Sequence, residues 1–391
     1  MLNTPFSPWP NYSKEEIDAV SRVLASNRVN YWTGPLCREF ETEFAKWVGT
    51  SYAVALANGT MALDVALKAL NIGPGDEVVV APRTFIASAS TVVTAGAIPV
   101  FADVDRNTQN ISPATIRSVL TDRTKAIICV HLAGMPCDMD GIMTLASEHD
   151  LKVIEDCAQA HGATYNGRSV GSFGHVGAWS FCQDKIMTTG GEGGMVTTNN
   201  PEIWSAMWSY KDHGKSWDAI YERAHPPGPR LVHDTFGTNW RMLEMQAAIG
   251  LIQLERMAEW THRRERLAAR LAEACAEHPL MRVPATPEGI RHGNYRFYAF
   301  VRPERLREGW TRDRIIEEIV ARGVPCYHGS ASEVYLEAAF DGTGWRPKQR
   351  LPAARELGET SLAMLVHPTL TDAEIELSVA TLHAVLHEAG R

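Results

Sequence analysis

A lysine that lies between an apolar run and a cluster of glycines is the first candidate for chemistry in this sequence. Lys185 follows residues 177–181 (GAWSF) and precedes residues 188–194 (TTGGEGG). Glycine has no side chain, so a glycine-rich loop can bring its backbone close to a bound ligand. A buried lysine with a depressed pKa can form an imine with a carbonyl group. Without other evidence, an ordinary surface lysine is the simpler interpretation.

Two adjacent carboxylates, Glu155 and Asp156, follow an apolar run that begins at Val153. Neighbouring side chains of a strand point to opposite faces, so at most one of the two carboxylates enters a given site. A carboxylate beside a heteroaromatic nitrogen keeps that nitrogen protonated, because the ion pair favours both charged forms. Asp156 could instead be the N-cap of the next helix.

A short turn at the start of a predicted helix is the third candidate. The turn Asn58-Gly59-Thr60 lies between a predicted strand and a predicted helix. The N–H groups and the dipole of a helix N-terminus suit a phosphate. Thr60 could equally be a simple N-cap and Gly59 a turn residue.

The three candidates together match a single cofactor. A phosphate, a ring nitrogen and an aldehyde each find a suitable partner, which is the pattern of pyridoxal phosphate (PLP). The sequence therefore predicts a PLP enzyme.

Short strands that alternate with longer helices must position these residues. Apolar and β-branched runs predict strands at residues 52–57, 77–80, 98–101, 125–130 and 152–155. Strands of this length between helices indicate βαβ units and a mostly parallel α/β sheet. Ligands of such sheets bind beyond the carboxyl ends of the strands, which is where all three candidates lie.

The length of 391 residues favours two domains. We expect a large cofactor-binding domain with an N-terminal arm over residues 1–250 and a smaller C-terminal α+β domain over residues 251–391. An amphipathic helix over residues 244–277 would leave the large domain. Residues 212–234, rich in Pro, Gly and charge, form either a flexible lid or a packed excursion.

The chain resembles the DegT/DnrJ/EryC1/StrS family of sugar aminotransferases, which are fold-type I PLP enzymes. The resemblance covers nearly the whole chain and depends on the order and spacing of several short motifs. These motifs are NGTMAL at residues 58–63, GPGDEV at 73–78, AGAIPVF at 95–101, EDCAQ at 155–159, SF at 180–181 with Lys185, GEGG at 191–194 and GTNWRM at 237–242.

The resemblance implies a role for each matching residue. Lys185 would form the Schiff base and move protons at the reacting carbon. Asp156 would pair with the pyridinium nitrogen, and Gln159 would approach the ring hydroxyl. The phosphate would be held by Gly59, Thr60 and Ser180.

The resemblance also implies a second subunit and two substrates. Phe85 would stack on the cofactor ring, and Asn239 would reach the phosphate in the neighbouring subunit of a homodimer with shared sites. The amino donor would be glutamate or glutamine, and the acceptor a nucleotide-linked keto sugar, for polysaccharide or glycoconjugate biosynthesis. A cyclitol or another keto ring is the alternative acceptor.

Three departures from the family pattern lie where an acceptor would bind. Residues 189–192 contain an extra glycine, residues 182–184 (CQD) replace commoner ones, and the 212–234 segment is long. They weaken any statement about which sugar is bound. Family members that dehydrate sugars carry histidine at the lysine position, so Lys185 favours transamination.

Two other functions compete with amino transfer, namely a sugar oxidoreductase and a non-catalytic regulator. A dinucleotide-dependent oxidoreductase would need a glycine-rich turn after its first strand, and residues 52–63 offer only Asn58-Gly59-Thr60. A PLP-binding regulator would not require the lysine.

Composition excludes several other classes. The net charge of −8 and the lack of a basic stripe give no reason to expect nucleic acid. The run Arg263, Arg264, Arg266 and Arg270 is interpreted as a solvated helix face. No apolar run approaches the roughly 20 residues of a membrane helix, and no signal-peptide pattern opens the chain, so a cytoplasmic enzyme is expected.

Cysteines and histidines are interpreted as structural. The seven cysteines are scattered and contain no CxxC pair, so neither a disulfide framework nor a zinc site is expected. Cys129, His131 and Cys137 match no established metal spacing, and no metal is predicted. Four histidines could serve as acid–base groups, but each is more often structural: His131, His161, His328 and His367.

Overall fold

The structure, a computed structural model, describes residues 5–390. Its α-helices are α1 (Lys14–Ser26), α2 (Leu36–Val48), α3 (Gly59–Ala69), α4 (Ala87–Thr94), α5 (Pro113–Arg117), α6 (Met139–Glu148), α7 (Pro201–Tyr210), α8 (Trp217–Tyr221), α9 (Glu244–Ala276), α10 (Arg312–Ala321), α11 (Pro352–Thr360) and α12 (Asp372–Ala389). Short 3-10 helices cover Leu132–Gly134, Pro303–Arg305, Val334–Leu336 and Ala338–Phe340.

Fourteen strands are present in the described part of the chain. They are β1 (Tyr52–Leu56), β2 (Glu77–Val80), β3 (Ile98–Phe101), β4 (Thr124–Val130), β5 (Lys152–Asp156), β6 (Thr164–Tyr165), β7 (Arg168–Ser169), β8 (Val176–Ser180), β9 (Gly194–Thr198), β10 (Met281–Arg282), β11 (Ile290–Arg291), β12 (Phe297–Val301), β13 (Cys326–Tyr327) and β14 (Ser361–Met364). The predicted strands and the long helix over residues 244–277 are all present, with ends shifted by about one residue.

The main sheet is mostly parallel, which confirms the predicted α/β class. Its order is β1-β9-β8-β5-β4-β2-β3, and β8, β5, β4, β2 and β3 are parallel to one another. The sequence did not predict that β9 pairs antiparallel with both β1 and β8. Strands β2, β5 and β8 are buried along almost their whole length, because helices cover both faces.

A second sheet lies in the C-terminal part of the chain. Its order is β10-β12-β14-β13, with all pairs antiparallel, and its core is shared with α9, α10 and α12. A third, small sheet joins β11 to β6 and β7. The predicted division into two domains falls at residue 250. Helix α9 is continuous through this position, and the division stays a prediction.

The N-terminal segment is fixed to α9 and to the C-terminal part of the chain. A capping box begins α1, where Ser13 and Glu16 bond reciprocally. Glu16 also accepts hydrogen bonds from Gln253 and Arg256 of α9. Before the helix, Phe6 packs into the core around the second sheet.

One arginine of the 263–270 run contradicts the predicted solvated face. Arg264 is only 1% exposed, whereas Arg266 and Arg270 are exposed. Its guanidinium lies 5.3 Å from the Trp9 ring, since the N-terminal segment folds over this part of α9. No helix within residues 5–390 has the length and apolar character needed to span a bilayer.

The first part of the 212–234 segment is packed, as one of the two predicted alternatives has it. Trp217 of α8 packs edge-on against Trp204 and Trp208 of α7, so this part is a packed excursion. The rest is open, since Leu231 is 83% exposed. An exposed ion pair joins Arg223, in the middle of the segment, to Asp234 at its end.

Candidate active site

A cavity of about 760 Å³ opens at the carboxyl ends of the parallel strands. It brings together seven of the eight residues singled out in the sequence: Gly59, Thr60, Phe85, Asp156, Gln159, Ser180 and Lys185. The eighth, Asn239, does not line the cavity; it is exposed, and the next residue, Trp240, does line it.

Lys185 is positioned by the loop between β8 and β9. The backbone pairs Phe181 with Gly193 and Gln183 with Gly191, so the glycines close the loop against the lysine. Trp9 of the N-terminal segment donates its Nε1–H to the carbonyl oxygen of Lys185 at 2.8 Å. These contacts hold the backbone of Lys185 in place while its side chain faces the cavity.

The pKa of Lys185 differs from the sequence expectation. Burial lowers it, but Tyr295 and Asp184 raise it by more, so the pKa lies above its ordinary value. Asp184 Oδ1 is 3.3 Å from Lys185 Nζ, and the other oxygen accepts a hydrogen bond from the Tyr295 hydroxyl. The expected depressed pKa is therefore wrong for the protein chain itself, because the sequence did not reveal how closely these groups surround the amine.

Asp156 presents a buried carboxylate to the cavity. Ser88 donates to Oδ2 at 2.7 Å and the amide of Ala158 donates to Oδ1 at 3.2 Å. Burial raises the pKa of Asp156. The two hydrogen bonds, together with the charges of Lys185 and His131, lower the pKa by less than burial raises it. No lysine, arginine or histidine of residues 5–390 lies within salt-bridge distance of it. A cationic ring nitrogen in the cavity would supply the missing partner.

Glu155 points to the opposite side of β5, as the alternation of a strand requires. It is fully buried and accepts hydrogen bonds from the amides of Gly171, Phe173 and Gly174 at 2.7–2.8 Å. His131 Nδ1 accepts from a backbone amide, so its Nε2–H donates to Glu155 at 3.0 Å. Glu155 therefore fixes the turn before β8 rather than serving the cavity.

Glu155→Ala is expected to lower the free energy of unfolding by about 3–5 kcal/mol, because it leaves buried amides and the His131 N–H without an acceptor. Urea unfolding measures this directly. Glu148→Ala is the matched control, since its ion pair with Arg117 is about half exposed and should change stability by less than about 1 kcal/mol. Equal effects of the two substitutions would contradict the assignment.

The turn at Asn58 and Gly59 meets β8 very closely. The Asn58 side chain accepts a hydrogen bond from the amide of Met61. The amides of Gly59 and Thr60 lie in the first turn of α3, where a helix leaves its N–H groups without partners in the helix. A Cβ at Gly59 would lie 2.5 Å from the Ser180 Cβ. Only glycine fits there, so Ser180 and the N-terminus of α3 converge on a space suited to a phosphate.

Gln159 is oriented by the loop after β4. Its Oε1 accepts from the amide of Ala133 at 2.7 Å, so Nε2 is the end left to donate toward the cavity. Ala133 has a left-handed φ of 57°, which turns its amide toward Gln159. The orientation suits an acceptor such as a ring hydroxyl.

Sequence reasoning missed several residues of the site. Ser88 holds Asp156, and Tyr295 lies against Lys185 with its ring centroid 5.2 Å from Nζ. Trp240 and Glu337 also line the cavity. No short motif of the sequence marks them.

The histidine and cysteine clusters contain no evident metal site. His131, Glu155 and Cys157 lie close together, but both His131 nitrogens and both Glu155 oxygens are already engaged in hydrogen bonds. Burial lowers the pKa of His161 to about 3, so it stays neutral. All seven cysteines are free thiols.

Comparison with known proteins agrees with this arrangement. A model of the DegT/DnrJ/EryC1/StrS aminotransferase family matches residues 10–383. GDP-perosamine synthase of Caulobacter vibrioides is 40% identical over 383 residues, or 96% of this chain and 97% of that protein. The X-ray structure of the aminotransferase from Psychrobacter cryohalolentis has 62% identity and a TM-score of 0.97, and the match covers 98% of this chain and 99% of that chain. The Streptococcus pneumoniae protein Spr1654, solved in a PLP form, has 26% identity and a TM-score of 0.86 over 99% of both chains.

Proposed function

We propose, on the premise that the chain belongs to the DegT/DnrJ/EryC1/StrS aminotransferase family, that it moves an amino group from L-glutamate or L-glutamine to a nucleotide-linked keto sugar. The chain is a PLP-dependent aminotransferase with the fold-type I architecture that the resemblance implied. The acceptor class follows from the Caulobacter relative, which is named for a GDP-linked product. Such a product would serve polysaccharide or glycoconjugate synthesis.

One observation carries the proposal: Lys185 and the buried Asp156 face the same cavity, whose third side is the Gly59 turn. The chemistry of the lining fits PLP, because an amine, a carboxylate without a cationic partner and a helix N-terminus are offered to its aldehyde, ring nitrogen and phosphate.

PLP, when bound, supplies an aldehyde carbon that takes up the amino group and a pyridinium ring that withdraws electrons from it. Lys185 Nζ would remove the α-proton of the donor and later deliver a proton to the keto carbon of the sugar. Asp156 would hold the proton on the ring nitrogen, because its carboxylate gains a cationic partner.

The remaining residues would position the cofactor. Gly59, Thr60 and Ser180 would hold the phosphate, and Gln159 Nε2 would donate to the ring hydroxyl. Phe85, which is 67% exposed although it lines the cavity, would cover the ring face.

We further propose a homodimer in which each site is shared. Asn239 is exposed just outside the cavity of its own subunit, which leaves it available to reach the phosphate in a partner. Phe236 is 99% exposed three residues earlier, which supports burial of this segment against a second copy.

Two other proposals concern the chain as a whole. The main sheet lies entirely within residues 1–250 and the second sheet within residues 251–391, which supports these ranges as the cofactor-binding and small domains. The seven free thiols are typical of a reducing compartment, which supports the cytoplasm as the site of the reaction.

The absorption spectrum of the PLP-loaded protein tests the proposal. L-glutamate or L-glutamine should convert the visible band of the lysine-bound cofactor to the aminated form, and nucleotide-linked keto sugars should restore it. Guanosine, uridine and thymidine diphosphate sugars would be compared with a cyclic ketone that carries no nucleotide.

Each outcome of this experiment is informative. Restoration by the unlinked ketone alone would favour the cyclitol-type acceptor. A visible band that no amino donor alters would contradict the amino-transfer proposal.

A further inference from the structure

Residues 330–337 form one wall of the cofactor cavity, and we call this segment the outer wall. Its members that line the cavity are Ser330, Ala331, Val334 and Glu337. Val334 is buried, whereas Glu337, at the end of the segment, is exposed. The outer wall therefore extends from the interior of the cavity to its solvent-accessible opening.

The outer wall is attached to the turn that follows β2. The amide of Thr84 donates to the carbonyl oxygen of Ala331 at 3.1 Å, and the amide of Val334 donates to that of Pro82 at 2.9 Å. The same turn continues into Phe85, which also lines the cavity. This attachment therefore sets the distance between the outer wall and the place proposed for the cofactor ring.

Arg83 lies between these two backbone contacts and is fully buried. Its Nη1 donates to Ser332 Oγ, within the outer wall, at 2.8 Å. Its Nε donates to Gln109 Oε1, in the loop after β3, at 3.1 Å. Through this side chain the outer wall is joined to the loops at the carboxyl ends of β2 and β3.

The partners of Arg83 are neutral. No carboxylate of the described chain lies within salt-bridge distance of the guanidinium, and its Nη2 has no hydrogen-bond partner. The centroid of the Tyr298 ring is 5.4 Å from Arg83 Cζ. Burial lowers the pKa of Arg83 to about 10, so the side chain is still a cation at neutral pH. A buried cation without a counterion is a poor stabiliser of a fold, but its rigid set of donors fixes the position of the groups that it binds.

The start of the outer wall has little room to move. The Tyr298 hydroxyl accepts a hydrogen bond from the amide of Ser330 at 2.8 Å. Gly329 has a left-handed φ of 91°, and a Cβ there would overlap the Tyr298 ring. Arg83 holds the next part of the segment at Ser332. Loss of that contact would therefore displace the lining residues that follow it.

The two proposed substrates use the cavity to different extents. The amino donor is a small molecule that reacts at Lys185, where Asp184 and Tyr295 surround the amine. A nucleotide-linked sugar is longer, so the part of it beyond the reacting carbon must extend toward the opening. The outer wall reaches that opening at Glu337. A shift of the outer wall should therefore affect the acceptor more than the donor.

We propose that Arg83 is a positioning residue for the acceptor, because it holds the outer wall through Ser332 at the distance that the keto sugar requires. The inference rests on the proposed amino transfer and deepens it. A displacement of about 1 Å far from the reacting atoms can cost about 10²-fold in rate, so a residue that never touches the substrate can control its reaction.

Arg83→Met tests the proposal in the PLP-loaded enzyme. Methionine fills similar space but donates no hydrogen bond. The value of kcat/KM for the nucleotide-linked keto sugar that restores the visible band fastest should fall about 10- to 100-fold, mainly through KM. The conversion of the band by L-glutamate or L-glutamine should change by less than about threefold. Arg83→Lys keeps the charge and one donor toward Ser332, so it should recover part of the loss.

Two further variants each remove one partner of Arg83 and form a matched pair. Ser332→Ala removes the contact with the outer wall and should reproduce the loss with the keto sugar, even if Arg83→Met fails to fold. Gln109→Met removes the contact with the loop after β3 and should lower the thermal stability while leaving the keto-sugar reaction unchanged. Equal effects of the two variants on the keto-sugar reaction would overturn the proposal.

Hydrogen–deuterium exchange of the unloaded protein provides a readout that does not depend on activity. In Arg83→Met the amides of residues 330–334 should exchange at least about tenfold faster than in the unaltered protein, whereas those of α12 should keep their rates. Unchanged exchange in the outer wall would overturn the proposal.

The remaining outcomes separate this inference from the proposed function. Equal losses in the donor and keto-sugar reactions would assign Arg83 to the cofactor site as a whole and overturn its role in acceptor binding. If no donor aminates the unaltered enzyme, the proposed amino transfer fails instead, and the exchange experiment still decides whether Arg83 holds the outer wall.

Discussion

Lys185→Ala is expected to lower the rate of amino transfer by about 10⁴-fold, the upper scale for loss of a positioned acid–base group. The substitution removes the amine that faces the cavity beside Asp184 and Tyr295. It should also abolish the visible band of the lysine-bound cofactor, because no other lysine of residues 5–390 lines the cavity. Rates are measured in single turnovers with L-glutamate, together with the absorption spectrum.

Two controls show that a loss of rate is chemical. Lys348→Ala removes an exposed lysine and should leave the rate and the spectrum unchanged. Added ethylamine should restore part of the rate of Lys185→Ala by supplying an amine to the cavity. A variant that keeps more than about a tenth of the rate would contradict the assignment of Lys185 as the group that moves the proton.

Asp156→Asn is expected to lower the rate about 10²- to 10³-fold, as when a contact that stabilises developing charge is lost. The amide keeps the size of the side chain but cannot hold the ring nitrogen protonated. The unloaded protein should be as stable as before or more stable, because burial raises the pKa of Asp156 and so disfavours its charged form in the native state. Steady-state kinetics and thermal unfolding of the unloaded protein measure the two effects separately.

Ser88→Ala is the matched control for that experiment. It removes the hydrogen bond to Asp156 Oδ2 but keeps the carboxylate, so a loss of about tenfold is expected. If Asp156→Asn and Ser88→Ala lowered the rate equally, the charge of Asp156 would not be what matters. A strongly destabilised Asp156→Asn would indicate a structural carboxylate instead.

Features set by local sequence could be predicted. The start of α1 depends on Ser13 and Glu16, which are three residues apart and form a capping box without help from the rest of the chain. Strands β2 and β3 were recognisable because buried parallel strands are short apolar runs between turns. The facing of Asp156 toward the cavity and of Glu155 away from it follows from the two-residue period of a strand.

Features that depend on distant contacts could not be predicted. Strand β9 follows a glycine cluster, and its antiparallel pairing with β1 joins residues about 140 positions apart. The charged neighbours of Arg264 suggested a solvated face, but Trp9 covers it from about 255 positions away. The same holds for Ser88, whose hydrogen bond to Asp156 joins residues 68 positions apart and forms only when the start of α4 meets the end of β5.

The adjacent carboxylates at the end of β5 have a consequence for how the chain tolerates genetic variation. Asp156 faces the cavity and Glu155 anchors the turn before β8. In a mutational scan scored separately for protein abundance and for growth, substitutions of Asp156 should yield abundant, inactive protein. Substitutions of Glu155 should deplete the protein itself. Neighbouring codons are thus under two different selective constraints, one on catalysis and one on persistence of the folded enzyme in the cell.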